Sequence, residues 1–212
     1  MALDPRHVDY EGAPLDPASV DADPIAQFRV WLAQARDAGV VEPDAMTLAT
    51  VGPDGRPSAR VVLLRGLDER GFAFFTNRAS AKGRDLVARP HAALTFAWLE
   101  LHRSVRVEGS VGPLPDADSD AYFATRPRDS QIGAWASPQS EVLAGREELE
   151  RRVAEVEARF AGGPVPRPPH WGGFVVAPAS LELWQGRPSR LHDRVRYLRE
   201  ADGAWRRERL AP

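Results

Sequence analysis

The sequence predicts a mainly β protein, an antiparallel barrel with helices at its periphery. Three observations point there. About nine short segments carry strand patterning, most of them consecutive and separated by turn residues instead of crossover helices. Helical periodicity is confined to one early segment, one short piece after Ser80 and a middle stretch. With 212 residues, 43% hydrophobic and 27% charged, the chain is ordinary for a globular protein. A single core in a chain of this size buries roughly 70% of the extended-chain surface.

Taken in order, residues 1–22 are rich in Asp, Pro and Ala and read as an extended N-terminal arm. Asp23-Pro24 supplies an N-cap and an N1 proline; Ile25, Phe28, Leu32 and Ala35 follow at helical spacing, and Gly39 closes the helix. AMTLATV (45–51), the turn GPDG (52–55) and SARVVLL (58–64) form a hairpin. GFAFFTN (71–77) is a strand, Ser80 caps a short helix to about Ala88, and AALTFAW (92–98) and SVRVEGSV (104–111) continue the sheet. The middle is helical around Tyr122, around Ile132 and from Arg146, where Leu149, Val153, Val156 and Phe160 share one face. AGGPVPRPPHWGG (161–173) is a Pro/Gly linker too short to divide the chain, so 23–212 is expected to be one domain. Strands at 173–178, 180–185, 195–200 and 204–210 complete the set, the last two joined by Ala201-Asp202-Gly203.

Composition excludes several function classes. The net charge of −2 leaves no global basic field for nucleic acid or an anionic membrane, so anion binding must be local. Cysteine is absent, which removes disulfides, thiolate catalysis and Cys-ligated metals. The N-terminal residues show no apolar signal segment, no run approaches a membrane span, and a cytoplasmic location is expected. The five histidines are scattered without a metal-ligand spacing, so no metal is expected. No GxGxxG, Walker loop or nucleophile with its own base is visible.

What the chain does carry is three cationic, amide-rich clusters. The first joins Arg60 and Arg65 of ARVVLLR to Thr76, Ser80 and Lys82 of TNRASAKGR; Lys82 is the single lysine beside 27 arginines. A guanidinium fork and an ammonium point charge together suit a phosphate monoester. The second is YFATRPRDSQIGAWASPQS (122–140), in which Tyr122, Arg126 and Ser130 fall at i, i+4 and i+8 and would line one side of a helix. The third is WQGRPSRLHDR (184–194), where Trp184 can stack on a planar ring and Arg190, His192 and Arg194 alternate onto one face if the segment is extended. Each cluster alone also fits a solvated strand end or helix terminus. Three together in a near-neutral chain fit two phosphates and an electron-rich heterocycle.

These motifs resemble the pyridoxamine 5′-phosphate oxidase family from about Asp23 to Pro212, with a weaker echo at Tyr10. RPRDSQIGAWAS and WQG…RLHDR carry the resemblance most specifically, supported by RVVLL, GFAFFTN, SAKG, VRVEG and the terminal RLAP. The resemblance implies an FMN-binding split β-barrel, a Greek-key antiparallel barrel, acting as a homodimer with FMN at the subunit interface. It implies oxidation of pyridoxamine 5′-phosphate, and of pyridoxine 5′-phosphate, to pyridoxal 5′-phosphate with O2 as acceptor. Carried over by position, it places Arg60, Val61, Val62, Leu63, Phe75, Thr76, Lys82 and Ser104 at FMN. Gln139 and Ser140 would reach the flavin from its other side, with Trp184 and Arg194 near the ring. Tyr122, Arg126 and Ser130 become the substrate phosphate cradle, joined by Arg65 and by Tyr10 of the arm. Arg190 and His192 become the catalytic lid over the pyridine ring.

Four positions depart from the family pattern: Arg65 replaces a lysine, Ala81 an arginine, Ser104 a glutamine, and His7 an arginine three residues before Tyr10. Because i and i+5 face opposite sides of a strand, Arg60 and Arg65 are expected to serve different anions. Two other functions fit the same motifs: a related FMN oxidase of a dihydrophenazine-type substrate, and a non-catalytic binder of flavin or pyridoxal phosphate.

Overall fold

The computed structural model describes residue 10 and residues 12–212; His7 lies outside them. Asp23 accepts the Ile25 N–H at 3.0 Å and opens α1 (Pro24–Asp37), which buries Ile25, Phe28, Trp31, Leu32 and Ala35. Two hairpin strands follow, β1 (Ala45–Val51) and β2 (Pro57–Leu63), then β3 (Gly66–Asp68) and β4 (Gly71–Asn77). Ser80 caps α2 (Ala81–Ala88), accepting the Gly83 N–H. β5 (His91–Trp98) and β6 (Arg103–Pro113) lead to α3 (Asp116–Ala124), α4 (Arg128–Ala136) and α5 (Arg146–Arg159). β7 (Trp171–Gln185), β8 (Asp193–Arg199) and β9 (Trp205–Leu210) end the chain.

All nine strands join one antiparallel sheet in the order β2-β1-β5-β6-β7-β4-β3. β8 pairs with the C-terminal part of β7 and carries β9 outside it. β7 therefore pairs with β6 along one edge and shares the other between β4 at Trp171–Val176 and β8 at Ser180–Gln185. The expected mainly β architecture with peripheral helices is what forms.

The expected break between 178 and 180 does not occur. Pro178 sits at a bulge: Gly109 pairs with Pro178 and Glu108 with Ser180, leaving Ala179 as the extra residue. A proline is tolerated at such a point because a ladder N–H is not required there. The count of nine strands is kept because β3, three residues too short to show a period, was not anticipated.

The main core wraps around Phe28, whose ring meets Phe72 at 4.9 Å and Phe96 at 4.8 Å. A smaller core of Phe123, Ile132, Val165 and Trp171 packs α3 and α4 against Val153, Val156 and Phe160 of the α5 region. The segment between α5 and β7 contributes to this packing, with Val165 buried and Pro166 O accepting from Trp135 Nε1 at 2.7 Å. Residues 12–22 run along β8 and β9. Leu15 and Val20 are buried there, and the carbonyls of Leu15, Val20 and Asp21 accept from Arg209, Arg207 and Tyr197.

Candidate functional site

A cavity of about 1000 Å³ opens between β2, β4, the start of β7 and the α3–α4 joint. Its lining includes Arg60, Arg65, Lys82 and Arg126 and no carboxylate. In a chain with a net charge of −2, this is a local positive field of the kind that attracts an anion.

Lys82 projects from the first turn of α2 and is only 8% exposed. Its Nζ donates to Thr76 Oγ1 (3.2 Å), Ser80 Oγ (3.3 Å) and Gln139 Oε1 (3.2 Å), all neutral acceptors. Burial, and then the nearby Arg60 charge, push the Lys82 ammonium below its usual range. A buried cation without an anionic partner is costly unless a ligand supplies the charge. Gln139 and Ser140 complete this corner: Ser140 Oγ accepts the Ala81 N–H at 3.1 Å. The turn at 139–140 folds these two residues onto the α2 N-terminus of the same chain.

At the other end of the cavity Tyr122, Arg126 and Ser130 come together, but not on one helix. Arg126-Pro127 separates α3 from α4, since a proline disfavours helix in the residue before it, and Pro127 stands as the N-cap from which α4 starts at Arg128. The bend, not the i+4 spacing, turns all three toward the cavity. Phe75 stacks on Tyr122 (4.1 Å, 16°) and on Trp171 (5.5 Å, 8°), forming an apolar wall. Arg126 lies over Trp171 at 4.8 Å, and its Nη1 is buried without a hydrogen-bond partner. Burial lowers the proton affinity of this guanidinium, with Tyr122 opposing the shift.

Arg60 and Arg65 both border this cavity, as do Val61, Val62 and Leu63. Strand parity does not separate the two arginines, because β2 ends at Leu63 and Arg65 instead hydrogen-bonds through its N–H to Ala73 O. Their side-chain partners do differ: Arg65 lies 3.7 Å from Asp44, whereas Arg60 turns toward Thr50, Ser58 and Asp85.

Ser104, Trp184, Arg194 and Tyr10 line a second cavity of about 650 Å³ that shares no lining residue with the first. Trp171 borders the first and Trp184 the second, at opposite ends of β7. Thirteen residues of strand span at most about 44 Å. In the second cavity Arg194 grips the buried Glu182 with two bonds (Nε 2.8 Å, Nη2 3.0 Å), and Arg106 pairs with the same carboxylate. Burial alone would raise the Glu182 pKa, but the two arginines win and hold it below the usual range.

The expected alternation of Arg190, His192 and Arg194 on an extended segment fails. Pro188–Arg190 is a 3-10 turn in which Ser189 (φ 57°) and Arg190 (φ 60°) are left-handed, and the strand begins only at Asp193. Arg190 is exposed. His192 packs on Trp184 (4.6 Å) and Tyr10 (5.6 Å), and its Nδ1 accepts the Arg187 N–H at 3.1 Å, which assigns the neutral ring's proton to Nε2.

Glu182, Trp171 and Asp85 were not singled out from sequence. Glu182 had a signal, an acid amid the apolar residues of SLELWQ; Trp171 and Asp85 are placed only by long-range contacts.

Residues 32–160 match the family model described as pyridoxamine 5′-phosphate oxidase. Residues 171–212 match that of the pyridoxine 5′-phosphate oxidase C-terminal dimerisation region. The pyridoxine/pyridoxamine 5′-phosphate oxidase of Rubrobacter xylanophilus is 59% identical over 204 residues, covering 96% of this chain and 94% of the relative. That of Microcystis aeruginosa is 54% identical over 205 residues, covering 97% and 96%. Among solved structures, PhzG of Burkholderia lata in complex with tetrahydrophenazine-1-carboxylic acid aligns with a TM-score of 0.90 at 33% identity, over 97% of this chain and 100% of that one. An FMN-binding, pyridoxamine 5′-phosphate oxidase-related protein from Nostoc punctiforme, 20% identical with a TM-score of 0.71 over 91% and 100%, shares the fold. With a family model spanning most of its length and relatives above half identity over nearly all of it, this chain belongs to the pyridoxamine 5′-phosphate oxidase family.

Proposed function

We propose that this chain is an FMN-dependent oxidase that converts pyridoxamine 5′-phosphate, and pyridoxine 5′-phosphate with it, to pyridoxal 5′-phosphate. For the amine, substrate, O2 and water become aldehyde, ammonia and H2O2. The observation that carries this reading is the carboxylate-free cavity with cations at both ends, Lys82 with Arg60 at one and Arg126 at the other. Two separated cation groups joined by an aromatic wall suit two phosphates flanking flat rings.

The donor set fits FMN: Lys82 lacks an anionic partner, and Arg60, Thr76 and Ser140 stand beside it. When bound, FMN supplies the two-electron acceptor for the hydride leaving substrate C4′. The chain's own residues bind and orient. Arg60, Lys82 and Ser140 hold the cofactor phosphate, while Arg126, Tyr122, Ser130 and Arg65 hold the substrate phosphate. Phe75, Tyr122 and Trp171 exclude water from the space between. Trp184 and Arg194 serve the ring system, and Glu182 fixes the Arg194 fork so its charge is presented in one direction. Arg190 and His192 close over the pyridine ring. Since the two residue groups sit at opposite ends of β7, a homodimer with FMN at its interface brings one group from each subunit.

The PhzG likeness favours a second reading, oxidation of a reduced phenazine acid. The unpartnered Arg126 Nη1 speaks for a phosphorylated substrate. Purified protein decides. A yellow protein that consumes oxygen with pyridoxamine 5′-phosphate supports the proposal, and the same protein inert to it but active on a dihydrophenazine acid supports the second reading. Ligand binding without oxygen uptake indicates a non-catalytic binder.

A further inference from the structure

The guanidinium of Arg60 is held from behind by a network that no cavity residue explains. Nη1 donates to Thr50 Oγ1 at 2.6 Å and to Leu48 O at 3.3 Å; Nη2 donates to Ser58 Oγ at 2.5 Å. Both hydroxyls in turn donate to one oxygen of Asp85, Thr50 at 2.7 Å and Ser58 at 3.3 Å. Asp85 Oδ2 lies 3.8 Å from Arg60 Nη2, beyond hydrogen-bond reach. Three elements meet here: β1 with Thr50, β2 with Ser58 and Arg60, and α2 with Asp85.

The directions of these bonds matter. A carboxylate only accepts, so Asp85 draws both hydroxyl protons toward itself. Each hydroxyl then has only lone pairs left to turn toward Arg60. Without the carboxylate the hydroxyls are free to rotate, and a proton facing the guanidinium repels it. Thr50 is 1% exposed, so water is a poor substitute partner.

We propose that Asp85 is a positioning residue for Arg60, acting through Thr50 and Ser58 to hold the guanidinium ready for the phosphate that Lys82 also faces. This rests on the preceding reading only for the identity of that anion as the FMN phosphate. Lys82 and Asp85 lie one turn apart on α2, so the same helix delivers one cation and aims the other. Asp85 also offsets part of the Arg60 charge. Thr50→Val keeps that charge and removes one oriented acceptor, so it separates the two effects.

The test titrates apoprotein with FMN and with riboflavin, which lacks the phosphate, following quenching of flavin fluorescence. Wild type, Asp85→Ala, Thr50→Val and the same changes in an Arg60→Ala background are compared. Asp85→Ala and Thr50→Val are expected to weaken FMN on the order of tenfold. Riboflavin affinity stays unchanged, and neither change adds to Arg60→Ala. Thr50→Val keeps the volume of a buried site, so it reports even if Asp85→Ala folds poorly. Wild-type FMN affinity in both variants, equal loss of riboflavin, or an undiminished effect without Arg60 would each overturn the proposal. If wild type binds neither flavin, the cofactor reading fails. Protection against thermal unfolding by inorganic phosphate then replaces the titration, and equal protection of wild type and Asp85→Ala refutes the positioning role.

Discussion

Arg65 stands where two cavities meet, the large one and a smaller one of about 460 Å³ bounded by Arg29, Arg36 and Asp44. Its link to Asp44 at 3.7 Å is weak, so the guanidinium remains available to a ligand phosphate. A hydrogen bond to a charged group contributes about 1.5–3 kcal/mol, so Arg65→Ala should weaken substrate binding by about 10- to 150-fold. Arg65→Lys should cost much less, and Arg60→Ala should lower FMN occupancy instead. Paired titrations of FMN into apoprotein and substrate into holoenzyme separate these; flavin loss in Arg65→Ala with an unchanged KM reverses the assignment. Lys82 offers a pH signature. Its native pKa is depressed below the ordinary 10.5, so between those values the unfolded chain binds more protons and apoprotein stability rises with pH. Denaturant titrations of wild type and Lys82→Met across that alkaline window should show the rise in wild type alone, reduced when FMN is present because a bound anion favours the ammonium.

At the scale of elements, the β6–β7 bulge holds a 15-residue strand in one piece while letting it change partners from β4 to β8. A Cβ at Gly109 would stand 1.9 Å from Ala177 O, a backbone atom that cannot swing away. Gly109→Ala should therefore destabilise the protein by about 1–3 kcal/mol, visible as a lowered Tm. An unchanged Tm would mean the bulge relaxes without cost. At the turn 188–190, Ser189 and Arg190 are left-handed, Arg190 is exposed and His192 lies against Trp184 and Tyr10. His192→Ala and Arg190→Ala should impair turnover or substrate KM while leaving bound flavin largely intact. Wild-type turnover in both variants removes them from the lid.

For the whole molecule, the decisive fact is that the two residue groups lie in separate cavities at opposite ends of β7. Among the described residues no hydrogen bond or ion pair joins the two cavity linings. Under the proposed function a second copy supplies one of these groups to each flavin, and the C-terminal match to a dimerisation region accords with this. Light scattering on flavin-loaded protein should report a dimer. A monomer holding stoichiometric FMN would show instead that the Trp184–Arg194 group serves another purpose.

Much of this was legible from local chemistry. Asp23-Pro24 and Ser80 announced their helices, and alternation announced most strands, because caps and periodicities act within a few residues. The motifs around Lys82, Arg126 and Trp184 marked the cationic clusters for the same reason. Tertiary structure alone decided how the clusters group. It bent Tyr122, Arg126 and Ser130 around Pro127, brought Gln139 and Ser140 beside Lys82, and turned Arg190 out of line with Arg194. It also placed Asp85 behind Arg60 and Glu182 between Arg106 and Arg194. These outcomes depend on contacts between residues tens of positions apart, whose geometry is set by sheet register and helix packing and leaves no period or spacing in the chain.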